Sequence, residues 1–69
     1  MAIDDDIEMA RRLVHEGERH LRRQHELVAD LSDQGLPTDD ALRFLQLLED
    51  MQAMHRQHLS RLLRRAENG

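Results

Sequence analysis

Gly35 and Pro37 interrupt a chain that otherwise reads as helix from one end to the other. Gly35 stands where a helix ends in a left-handed residue, a conformation glycine takes without steric cost. With Gly35 at the C′ position, Leu36 is C″ and Leu31 is C3, the apolar pair that accompanies a Schellman stop. Pro37 cannot donate a backbone hydrogen bond and disfavours helix at Leu36 before it. Thr38 can cap a following helix, and Asp39 and Asp40 set negative charge on its free N–H groups. A link this short makes two long helices antiparallel neighbours. The expected fold is therefore all-α, a single antiparallel two-helix hairpin over 1–69. Its first helix should span about 4–34, its turn 35–38 and its second helix about 39–66.

The first helix should open in the acidic cluster Asp4 to Asp6, where Asp5 and Glu8 have the spacing of a capping box. A heptad runs through it. Ile7, Val14, Leu21 and Val28 hold one set of positions; Ala10, Gly17, Gln24 and Leu31 hold the other. Leu13, His20 and Leu27 widen the stripe on one flank. Glu8 with Arg12 and Glu18 with Arg22 are spaced as i,i+4 pairs, as are Asp39 and Arg43 in the second helix. The second helix carries a broader face: Ala41, Phe44, Leu45, Leu48, Met51, His55, Leu59, Leu62, Leu63 and Ala66, extended by Leu47 and Met54. Arg43, Gln46, Asp50, Gln57, Arg61 and Arg64 hold the other side. The tail from Glu67 is expected to fray.

Folding about the turn should oppose residues whose numbers sum to about 72. That pairs Val28 with Phe44, Leu21 with Met51, Gly17 with His55, Val14 with His58 and Ala10 with Leu62. It also returns Asp4 to Asp6 to the vicinity of Arg61, Arg64 and Arg65. A glycine in mid-helix costs about 0.5–1 kcal/mol relative to alanine, so Gly17 needs a packing reason. Room for the His55 imidazole is one. Gln24 and His55 then read as buried polar groups that fix the register.

Two helices touching along a seam cannot cover a face that spans about half of the second helix. A 69-residue chain without cysteine also has no disulfide to compensate for a small core. The expected cover is a second copy, giving a homodimeric four-helix bundle, or else another protein. The residues expected at the interface or setting its register are Gly17, Leu21, Gln24 and Val28 on the first helix. On the second they are Phe44, Leu48, Met51, His55, Leu59 and Leu62.

Function classes narrow from there. A net charge of −4 opposes nucleic-acid binding by bulk electrostatics. The arginines Arg11, Arg12, Arg19, Arg22 and Arg23 form a strip that keeps phosphate or nucleic-acid contact as an alternative. Glu8, Glu16, Glu18 and Glu26 interrupt it. A zinc site is a second alternative, since His55 and His58 share a face and folding brings His20 towards them. No metal or cofactor is assigned. No glycine-rich phosphate loop, cysteine or hydroxyl beside an acid–base pair is present, so no enzyme is expected. No apolar run approaches the roughly 20 residues of a membrane span, and the acidic N-terminus is unlike a signal peptide, so a cytoplasmic protein is expected.

Gly17-Glu18-Arg19-His20, Gln24, Gly35-Leu36-Pro37-Thr38, Leu47-Leu48-Glu49, His55 and His58-Leu59 resemble a group of small uncharacterised proteobacterial proteins expected to be helical hairpins. That resemblance implies a fold and no activity. In shape alone the chain is also similar to Rop-like hairpins, which pair into four-helix bundles and can bind RNA. No RNA-contacting motif of those proteins maps onto this sequence.

Overall fold

The turn forms as the glycine–proline spacing dictates. In the computed structural model, which describes residues 2–68, Gly35 has φ of 70°. The Leu36 N–H donates to the Leu31 carbonyl at 2.9 Å, and the Gly35 N–H donates to the Ser32 carbonyl at 3.0 Å. These are the two bonds of a Schellman stop. Thr38 lies just outside the next helix and its carbonyl accepts the first helical bond, from the Leu42 N–H at 2.8 Å.

Two helices flank this turn, α1 (Ala2–Asp33) and α2 (Asp39–Asn68), and they pack against each other as an antiparallel hairpin. The rod measures 53 × 14 × 13 Å. Helix α1 begins before the acidic cluster rather than within it. Ile3 is half-buried and continues the heptad stripe backwards by one step, so the helix extends with it. Asp4 and Asp5 therefore lie in the first turn, where they face the positive end of the helix dipole, and Asp5 is not a cap. At the other end Glu67 and Asn68 continue α2; Gly69 lies outside the described residues.

All heptad positions named for α1, from Ile7 to Leu31, are buried or half-buried. The α2 seam differs from the expected one. It runs through Ala41, Leu45, Leu48, Gln52, His55, Leu59 and Leu62, again alternating four and three. Phe44 and Met51, expected opposite Val28 and Leu21, are instead 51% and 50% exposed. Helix α2 is thus rotated about its axis relative to the expected packing.

Two glutamines account for that rotation. The Gln24 Nε2 donates to the Ala41 carbonyl at 2.8 Å, and the Gln52 Nε2 donates to the Val14 carbonyl at 2.8 Å. Each helix sends one amide across the seam to the backbone of the other. Gln52 is only 2% exposed, and its Oε1 has no hydrogen-bond partner. A Cβ at Gly17 would stand 1.8 Å from that oxygen. Gly17 therefore makes room for the Gln52 amide and not for the His55 imidazole, which lies one turn further along. The oxygen occupies the space that a side chain at Gly17 would fill.

Ion pairing is sparse. Among the described residues one pair joins the helices, Arg56 with Glu18 at 4.0 Å, and both side chains are substantially exposed. Glu18 thus turns to α2 rather than to Arg22. Arg43 pairs with Asp40, three residues away, and not with Asp39. The acidic cluster at Asp4 to Asp6 makes no ion pair with Arg61, Arg64 or Arg65. Exposed pairs of this kind contribute about 0–1 kcal/mol, so the seam is held by burial and the two amides.

Candidate interaction face

The heptad flanks sort the hairpin into two unlike faces. In an antiparallel pair, the residues just before the first seam position of each heptad share one side. On α1 these are Leu13, His20 and Leu27; on α2 they are Phe44, Met51 and His58. Grooves between the helices confirm the arrangement. His20 and Met51 line two adjoining stretches, one with Leu13 and Leu48, the other with Phe44 and Leu47. The second stretch is an open groove of about 510 Å³. The opposite face carries the Arg56–Glu18 pair.

The first face is apolar and wet. Besides Phe44 and Met51, Leu47 is 58% and Met54 64% exposed, and Leu13 and Leu27 are exposed on the α1 side. Scattered exposed leucines need no explanation, but a contiguous apolar patch does. Among the described residues only Ala10, Leu45 and Leu62 are buried apolar residues. The accessible surface of 5578 Å² exceeds by about 1,100 Å² what a compact monomer of 8.1 kDa presents.

The ten residues expected at an interface divide into two sets. Gly17, Leu21, Gln24, Val28, Leu48, His55, Leu59 and Leu62 lie in the seam between α1 and α2. Phe44 and Met51 lie on the apolar face. Leu48 and His55 touch both, being half-buried and lining the grooves. Gln52 is a seam residue that the apolar periodicity does not mark. It breaks the apolar pattern, and its signal was the unfilled space implied by Gly17 together with the four–three spacing from Leu45 to Leu59.

The histidines and arginines form no centre. His20 and His55 line one groove with Glu16, but only His55 is half-buried; His15, His20, His25 and His58 are exposed. Among the described residues no three of His, Asp or Glu are grouped to hold a metal ion. Arg19, Arg22 and Arg23 line a stretch of α1 surface with His20 and Glu26, and Arg23 also borders the groove with Phe44 and Leu47. Among the described residues no helix is long and apolar enough to cross a membrane. Searches with this chain matched no protein-family model, no curated protein and no solved structure.

Proposed function

We propose that this protein is a non-enzymatic interaction module that works by self-association through the face bearing Phe44, Leu47, Met51 and Met54. The observation that carries the reading is the exposure of those four side chains on one side of an already formed hairpin. Stable protein interfaces bury about 800 Å² per partner, which is within the surplus surface of this elongated monomer. An apolar face on each of two copies, buried together, yields a four-helix bundle with the charged faces outward.

Met51 separates interface from fold. It is half exposed and lies off the seam, so Met51→Glu leaves the hairpin's own packing in place. In a dimer the same carboxylate is buried against apolar side chains without a partner, which is strongly unfavourable. Sedimentation equilibrium should give an assembled mass for the unmodified chain and a monomer of 8.1 kDa for the variant, with unchanged helical circular dichroism. An identical mass for the two proteins would contradict the reading.

A further inference from the structure

We infer that the partner is a second copy laid antiparallel on the apolar face, about a two-fold axis that lies in the contact plane and crosses both helices at the level of His20 and Met51. This rests on the self-association proposed above and adds its geometry. Gly17 packs directly against Gln52. His20 lies three residues and Met51 one residue nearer the turn, so the two side chains, which line the same grooves, stand within about 3 Å of one height along the rod. Both helices are patterned symmetrically about that height. Leu13 and Leu27 each lie seven residues from His20; Phe44 and His58 each lie seven residues from Met51.

Rotation about an axis through this level lays α1 on α1 and α2 on α2, each pair antiparallel. Leu13 then meets Leu27 of the second copy, and Leu47 meets Met54. Glu16 and Arg23 flank His20 at four and three residues, so each acid faces the other copy's guanidinium, twice per dimer. Both side chains border the grooves of the apolar face. Arg61 is carried towards Asp40 by the same operation.

The other closed arrangement places the two turns together and lays α1 over α2 at equal heights. Arg23 and Leu47 line the same stretch of groove, so that arrangement sets Arg23 of one copy on Leu47 of the other. Glu16, which lines a stretch of groove with Met51 and His55, meets no cation either. Charges buried without partners disfavour it.

Charge exchange and a distance test this together. Glu16→Arg and Arg23→Glu each place like charges opposite one another, and each should weaken the dimer at least tenfold. An equimolar mixture of the two variants restores opposite charges at every contact and should recover the original affinity as a heterodimer. A mixture as weak as either variant alone overturns the alignment. The chain has no cysteine, so Asp33→Cys provides a single spin-label site near the turn. Thirteen residues separate it from the axis at His20, which places the two labels about 40 Å apart. A separation below about 20 Å, set by neighbouring helix axes at the same end, overturns the alignment and leaves self-association standing. Absence of any dimer overturns both.

Discussion

Leu62→Ala is expected to lower the unfolding free energy by about 2–5 kcal/mol, the range for a leucine truncated in a packed core. Leu62 is 4% exposed and is, among the described residues, one of three buried apolar side chains. Small domains are marginal, at about 0.05–0.15 kcal/mol per residue, so a loss of this size removes much of what a 69-residue chain has. Urea denaturation followed by circular dichroism should show a large fall in midpoint at both low and high protein concentration. Leu42→Ala, on an exposed side chain, should shift it by less than about 0.5 kcal/mol. Equal effects at the two positions would mean that the seam is not where Leu45 and Leu62 place it.

Gly17→Ala is expected to destabilise, against the usual sign for glycine in mid-helix. Helix propensity alone favours alanine by about 0.5–1 kcal/mol. Here the added methyl would overlap the buried Gln52 amide, whose Oε1 lies 1.8 Å from the Cβ position. The amide must then move, breaking its bond to the Val14 carbonyl inside the seam, at a cost of about 1–3 kcal/mol. In a Gln52→Ala background the obstruction is gone, and Gly17→Ala should stabilise. The double-mutant cycle should therefore show a change of sign, read from denaturation of the four proteins. The same sign in both backgrounds would contradict the packing of Gln52 on Gly17.

The legibility of this chain follows from how narrow each signal is. The turn could be read nearly bond by bond, because glycine at C′ and proline two residues later admit few backbone paths. The α1 seam could be read because one three–four spacing runs unbroken from Ile7 to Leu31, with Leu13 and Leu27 widening it on one flank only. Helix α2 could not be read to the same depth. Leu45, Leu48, Phe44 and Met51 are all apolar, and periodicity alone does not choose which of two overlapping stripes faces α1. Two amides, Gln24 and Gln52, make that choice through backbone carbonyls on the facing helix. Their role depends on distance across the seam, which a linear pattern does not encode. The same rotation put Phe44 and Met51 on the open face, and so created the candidate site.

Sedimentation equilibrium of the unmodified chain, from low to high micromolar concentration, tests most directly whether that face is covered by a second copy. The expected result is a mass rising to twice 8.1 kDa. A mass that stays at 8.1 kDa throughout would contradict it.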